Sequence, residues 1–415
     1  MRIAVIGAGA AGVFGAIAAA SCEQGAFVEV FESTNRPLEK LLLSGGGRCN
    51  VTNACFEPAE LIKNYPRGAK ELRGPFSRFQ PKDVVAWFEE RGIRLKAEAD
   101  GRMFPVTDRA ESIADCLVEG ALKLGVVIKF GTGVKSVTPF VTEDSQPQFK
   151  IDMAGIGTEE YEPFDRVLVA TGSSPVGYRI AEAVGHSIVP CVPSLFTFKV
   201  EDPRIDGLSG ISFEKAELTL TVGGQKLHQD GPLLITHWGL SGPAILKLSA
   251  WGARILSEAG YRAKLSINLL PGRSVESVTD RLRDFKERYG ARKVKGDNPF
   301  PIANRYWHRI VETRALGPDA VWANLTKAEM ASIVTEVTAA QFEIIGRGIY
   351  KEEFVTCGGV NLREIDFRTM QSRICPSLYF AGEILDIDGV TGGFNFQNAW
   401  TTGWIAGKSM IAVSA

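Results

Sequence analysis

One spacing constrains this chain more than anything else in it. Gly7, Gly9 and Gly12 stand in GAGAAG, after the apolar run Ile3 to Ile6, and a second apolar run, Phe27 to Phe31, ends at Glu32. A strand, a tight turn, a helix reaching about Glu23 and a second parallel strand satisfy that order. The first glycine permits the turn, the second lets backbone approach a pyrophosphate, and the third lets the helix lie close to the sheet. The helix N-terminus then meets the phosphates with free N–H groups and the positive end of its dipole. Glu32 stands where a carboxylate accepts ribose hydroxyls and disfavours a 2′-phosphate. Met1-Arg2, the apolar run and Ala18-x-Ala20 imitate a secretory leader, but a leader does not explain the glycine register. The fingerprint reads as an adenine dinucleotide site, with NAD and FAD both open.

Length sets the rest in proportion. At 415 residues the chain exceeds one ordinary core, so two or three domains are expected. With 45% hydrophobic and 23% charged residues, neither wholesale disorder nor a membrane-embedded bundle fits, and no membrane span is expected. A net charge of −1 with no long basic block makes nucleic acid an unfavoured partner. The seven cysteines are scattered and form no C-x-x-C pair. That pattern speaks against a disulfide framework or structural zinc and for a reducing cytoplasm. The outlier is glycine: 44 residues, against an ordinary usage of roughly 7%.

Residues 33 to 53, ending in SGGGRCNVTN, read as a polar, glycine-rich loop that packs no core and whose N–H groups, with Lys40 and Arg48, form an anion-binding concavity. A flexible surface loop is the alternative. Residues 81–92 and 110–124 show helical periodicity and are expected to pack on a sheet. Three β-like runs follow, at 126–140, 147–153 and 157–162. Val167 to Ala170 is apolar throughout, as a strand buried on both faces should be, and delivers Thr171 and Gly172 to the dinucleotide crevice. From Cys191 to Tyr350 the texture is mixed: β runs at 195–200, 216–222 and 263–269, helices at 275–289 and 326–340. Buried-strand texture returns at Ser377 to Glu383. A last helix, Asn395 to Met410, carries Ala399, Gly403, Ala406 and Gly407 on one side, open to close approach by sheet or cofactor.

Together GAGAAG, SGGGRCNVTN, GRMFPV (101–106), ATG (170–172), THWGLSGPAILKLS (236–249), CGGV (357–360) and AGEILDIDGVTGGFNFQNAWTTGWIAG (381–407) resemble bacterial NAD(P)/FAD-dependent oxidoreductases. These are glutathione-reductase-like flavoproteins with an inserted domain, and their relatives include an aminoacetone oxidase and a dehydro bile acid reductase. The resemblance spans nearly the whole chain. It implies an α/β fold: a Rossmann-type FAD-binding domain with a parallel sheet and β-meander, plus an inserted mixed α+β domain. The implied boundaries are 1–190 and 351–415 for the FAD domain and 191–350 for the insertion.

The resemblance implies FAD as cofactor. Gly7, Gly9, Ala10, Ala11, Gly12 and Glu32 match its adenosine and pyrophosphate site, and Lys40, Ser44, Gly45, Gly46, Arg48 and Asn50 the loop beside it. Thr171 and Gly172 match the second turn. Gly382 and Glu383 match a strand end that usually carries Gly-Asp, so the longer Glu changes reach. Gly393, Phe394, Asn395 and Phe396 place a helix N-terminus at the flavin pyrimidine edge, where its N–H groups favour negative charge. A shortened segment between Gly172 and Gly185-His186 marks a sub-branch and leaves the substrate open.

The implied activity moves a hydride between a small-molecule substrate, or NAD(P)H as candidate donor, and flavin N5. Oxidase and reductase both stay open, and no second glycine fingerprint marks a separate NAD(P)H domain. The alternative is a non-catalytic or RNA-associated flavoprotein using FAD for structure or redox sensing. No catalytic residue is assigned; His237 is a candidate, weighed evenly against a structural histidine. Cys49 and Cys55 are spaced wrongly for a redox disulfide, which leaves Cys49 as a packed neutral thiol. Asp386 and Asp388 belong to a loop that fixes the last helix, with no metal expected.

Overall fold

A computed structural model describes residues 1–22, 26–154, 161–314, 316–317, 319–348 and 355–412. The chain divides into two compact units, Met1–Val192 with Phe354–Ala415, and Pro193–Glu353.

The first unit contains β1 (Arg2–Ile6), α1 (Ala10–Ala20), β2 (Phe27–Phe31), α2 (Glu39–Gly47), α3 (Ala110–Lys123), β3 (Val127–Lys129), β4 (Arg166–Val169), α4 (Pro175–Ala183), β5 (Val355–Val360), β6 (Leu378–Phe380) and α5 (Phe394–Ile411). Its main sheet runs β3–β2–β1–β4–β6, all parallel, and is extended antiparallel beyond β6 by Gln371–Ser372 and Ile365–Asp366. Ile3 pairs with Val28 on one side and Arg166 on the other. Ile3, Ala4 and Val5, like Val167, Leu168 and Val169, are fully buried. A strand covered on both faces is apolar at every position, which is why these runs do not alternate.

The helix α1 ends at Ala20, short of the expected Glu23: Ser21 is its C-cap and Cys22 is not helical, while Glu23 lies outside the described residues. Two of the small residues of α5, Gly403 and Gly407, approach α1. A Cβ at Gly403 would stand 2.5 Å from the Ala11 carbonyl oxygen, and one at Gly407 2.3 Å from that of Gly15. Only glycine lets two helix backbones meet at that distance.

Several expectations change. The run at 126–140 is two elements: β3 joins the parallel sheet, while Val134–Val141 forms a hairpin with Pro147–Met153. Of the third run, 157–160 lies outside the described residues, and 161–162 forms no strand. The described part of the meander is therefore this hairpin. Residues 33–53 are not a loop throughout. Glu39 opens α2, which breaks at Ser44 to Gly46, and Leu38, Leu41, Cys49 and Val51 are buried. The segment packs core after all, because its apolar residues interleave with the glycines. The helix α3 packs against α1 and α2 rather than chiefly on a sheet.

The second unit holds a seven-stranded antiparallel sheet in the order Ala340–Ile344, Ala263–Asn268, Ser212–Val222, Gln225–Thr236, Gly239–Ser241, Phe198–Lys199, Gly346–Arg347. Of the run at 195–200 only Phe198–Lys199 is strand. Helices Val275–Tyr289 and Lys327–Ala339 lie where the periodicity puts them. Strand Gln225–Thr236 and helices Pro243–Trp251 and Asn304–Thr313 escape it. No helix among the described residues is long and apolar enough to cross a membrane.

Candidate functional site

The carboxyl ends of β1, β2, β4 and β6 open on one edge of the parallel sheet, where strand order reverses about β1. After β1, Gly7 has φ 101° and a Cβ there would lie 2.6 Å from the Ala170 carbonyl oxygen. A Cβ at Gly12 would lie 1.9 Å from the Gly7 carbonyl oxygen. Gly9 differs: a Cβ there would meet nothing within 4 Å. It is the N-cap of α1, and no side chain caps that helix. Ala10 and Ala11 complete the first turn, so an uncapped helix end faces open space, as a diphosphate requires.

Glu32 closes β2 and is already engaged. Its carboxylate accepts from Ala8 N (2.9 Å) and Thr34 N (2.8 Å), fixing it against the glycine turn with lone pairs to spare. Lys40, Gly172 and Glu383 converge. Lys40 Nζ reaches Glu383 Oε2 at 2.6 Å and Ser173 Oγ at 3.2 Å, and a Cβ at Gly172 would lie 3.5 Å from Glu383 Oε2. Glu383 Oε1 accepts from Thr356 N at 3.0 Å, which ties the longer acid to β5. Gly382 has φ 78°, donates its N–H to Thr402 Oγ1 and sits on Ala11. Thr171 Oγ1 is buried with no hydrogen-bond partner.

A second group gathers at the N-terminus of α5. Gly393 is its N-cap in a left-handed conformation, again without a side-chain cap. With its amide oriented to suit both neighbours, Asn50 accepts from Gly393 N (2.9 Å) and donates to Thr52 O (3.0 Å). Gly45 packs by Phe104 and Asn50, and Ser44 donates to Leu41 O. Gly46 has open space where a Cβ would be. The Phe394 carbonyl accepts from Tyr65 OH at 2.7 Å, Asn395 bonds both backbone groups of Gly389, and Phe396 stacks on Trp400.

Arg48 does not join either group. Its guanidinium bonds Glu98 Oε1 at 2.7 Å, lies 3.7 Å from Asp108, and covers the Phe104 ring at 4.0 Å. Sequence reasoning did not assign Ser173, Thr356 or Thr402, although Ser173 directly follows ATG, Thr356 directly precedes CGGV and Thr402 lies inside the 381–407 motif. Cys49 is buried, and burial pushes its thiol up to about 12, so it is a neutral packed group. His237 is an exposed residue of the hairpin turn between Gln225–Thr236 and Gly239–Ser241. Asp388 is wholly buried and pairs with Arg67 through both carboxylate oxygens. No metal-holding cluster of three His, Cys, Asp or Glu occurs among the described residues.

The uncapped α1 turn and the open face of Gly9 fit a dinucleotide such as FAD. Comparison with known proteins agrees. The family model described as "HI0933-like protein Rossmann domain" matches residues 1–409. The ribosomal RNA dihydrouridine synthase of Escherichia coli K12 is 30% identical over 99% of this chain and 98% of its own. The 3-dehydro-bile acid delta(4,6)-reductase of Clostridium scindens is 28% identical over 98% of both. Among solved structures, a 3-ketosteroid-delta4-(5alpha)-dehydrogenase from Rhodococcus jostii RHA1 superposes with TM-score 0.53 at 17% identity, covering 99% of this chain and 96% of its own, a likeness of fold. The chain belongs to the HI0933-like family of FAD-binding Rossmann proteins.

Proposed function

We propose that this FAD-dependent oxidoreductase adds hydrogen across a carbon–carbon double bond conjugated to a carbonyl group, with a reduced nicotinamide as donor. The observation that carries the reading is a reaction class shared by the two full-length relatives. Dihydrouridine is uridine saturated at C5–C6, beside the C4 carbonyl, and a delta(4,6)-reductase of 3-dehydro bile acids saturates bonds conjugated to the C3 ketone.

Bound FAD supplies a two-electron hydride carrier at N5. In this reading the residues of the first unit do the holding. The first turn of α1 binds the diphosphate with its N–H groups, and Glu32 takes the adenosine ribose. The Lys40–Glu383 pair, anchored by Ser173 and Thr356, lines the crevice beyond Gly172. Asn50 holds the Gly393 turn so that the N-terminus of α5 presents positive potential.

The test is anaerobic. FAD-loaded protein is bleached with NADH or NADPH, then offered a 4-en-3-one steroid or a uridine-containing ribosomal RNA transcript. Return of the flavin absorption, with a product two hydrogens heavier, is the expected result, and which probe works names the substrate. Protein that binds no FAD would end the cofactor reading; bleached protein that recovers with oxygen alone would point to an oxidase.

A further inference from the structure

A cavity of about 190 Å³ in the first unit lies apart from the cofactor crevice. Residues one or two helical turns apart face it from three helices: Phe14 and the C-cap Ser21 of α1, Trp87 and Arg91 of helix Pro81–Glu89 and the turn after it, and Trp404 and Lys408 of α5. Its wall is aromatic and held from behind. Phe14 tilts against Trp87 with ring centroids 4.8 Å apart, and Trp404 stacks on Phe79 at 5.0 Å.

The rim is cationic. The Arg91 guanidinium lies over the Trp87 ring, 3.8 Å from its centroid, and donates one N–H to the Trp87 carbonyl at 2.9 Å. Stacking and that bond fix its plane and leave further N–H groups to donate. Glu90, its neighbour in the chain, stands off at 3.6 Å and is 73% exposed. Lys408 Nζ meets Cys22 Sγ at 3.6 Å, and no carboxylate among the described residues pairs with it. No acidic side chain among the described residues lines the cavity. Two cations thus share one opening with little to neutralise them, an arrangement that favours an anion between them.

We infer that this cavity is a second ligand site, for a small aromatic carboxylate whose ring packs against Trp87, Phe14 and Trp404 and whose carboxylate is held by Arg91 and Lys408. Size supports a single ring: an apolar void of roughly 150 Å³ takes benzene, and about 190 Å³ leaves room for a carboxylate beside it. Chemistry supports both halves of the ligand. A neutral ring would leave the two cations unmatched, and an inorganic anion would leave the indoles wet, whereas a guanidinium fork suits a carboxylate in two parallel hydrogen bonds. The site does not rest on the proposed reduction. Ser21 caps the end of α1 opposite the turn that meets the diphosphate, and the 11 residues between span roughly 16 Å. The cofactor and this ligand therefore bind without competing.

The test uses 4-fluorobenzoate as probe, its fluorine line width followed by NMR as FAD-loaded protein is added. Saturable binding with a Kd of about 1 mM or tighter is expected, with the flavin absorption unmoved by the probe. Arg91→Gln and Lys408→Gln should each weaken it about fivefold or more while keeping their flavin. On the wild type, 4-fluorobenzamide, the same shape without the charge, should bind about fivefold more weakly or worse, which reads the role of charge with no substitution at all. Absence of saturation below about 10 mM overturns the inference. So does an affinity that neither substitution changes, or a probe that shifts the flavin band and so sits in the cofactor crevice instead. Protein that holds no FAD would end the cofactor reading alone, since the same titration stays readable without it.

Discussion

A buried carboxylate shows how much one residue carries here. Asp388 is fully buried and Arg67 only 11% exposed, so the pair exists on condition that neither partner is lost. Removing one partner of a buried ion pair costs about 3–5 kcal/mol, because the other charge stays desolvated and unmatched. Asp388→Ala should lower stability by that amount, read as a shift in the urea midpoint without a change in slope. The double variant Arg67→Met/Asp388→Leu should regain part of it. Sequence reading assigned Asp388 to a loop that fixes the last helix and saw no metal; its partner, 321 positions away, was invisible to it. Arg48 fails for the same reason, since Glu98 and Asp108 draw its guanidinium from beyond any local window.

At the scale of elements, His186 ties three of them. Ser372 Oγ accepts from Ile374 N and Cys375 N, so its own proton goes to His186 Nε2 at 2.8 Å. The other ring nitrogen, Nδ1, then donates to Glu364 Oε2 at 2.9 Å, and Glu364 also bonds Ser187. Neutral imidazole satisfies every bond, and burial holds its pKa below the usual 6.5, with Glu364 pulling the other way. A folded pKa depressed below the unfolded one gives stability that is full above about pH 6.5 and falls as pH drops through the folded value. Unfolding measured between pH 7.5 and 5.5 should show that loss in the wild type and lose most of it in His186→Gln. Glu364, held low by Ser187 and His186 against its burial, adds a separate loss only below its usual carboxylate range.

The same scale shows which elements were legible. The parallel strands declare themselves by unbroken apolarity, and the glycine turn by its spacing. Strand Gln225–Thr236 does not, because its first half is polar and partly exposed, and its register comes from the Gly223-Gly224 turn and the neighbouring Ser212–Val222. In residues 33–53 the glycines hid Leu38 and Leu41, whose burial depends on neighbours no local pattern names. The glycine turns after β1 and before α5 were readable; what fastens their surroundings, from Thr356 to Thr402, was not.

For the whole molecule, one unit is assembled from both chain ends: β1 to α4 come from the first 192 residues, and β5 to α5 from residue 354 onward. A ligand that binds only the folded form adds stability as the logarithm of its free concentration over its dissociation constant. FAD at 100 times its dissociation constant should add about 2.7 kcal/mol, so the melting temperature should climb with added FAD and keep climbing past stoichiometry. A melting temperature indifferent to FAD would contradict binding to the folded form.

That split assembly also has a timetable. A ribosome working at about 5–20 residues per second needs roughly 10–45 s to pass from Thr171 to Phe394. Until then the nascent chain has made the Rossmann turn and the whole of Pro193–Glu353, but lacks the helix whose Gly403 and Gly407 seal α1. During that wait the glycine face of α1 is bare to water and to other proteins. On the proposed site, which draws on residues from both chain ends, loading the flavin is an event of the finished polypeptide.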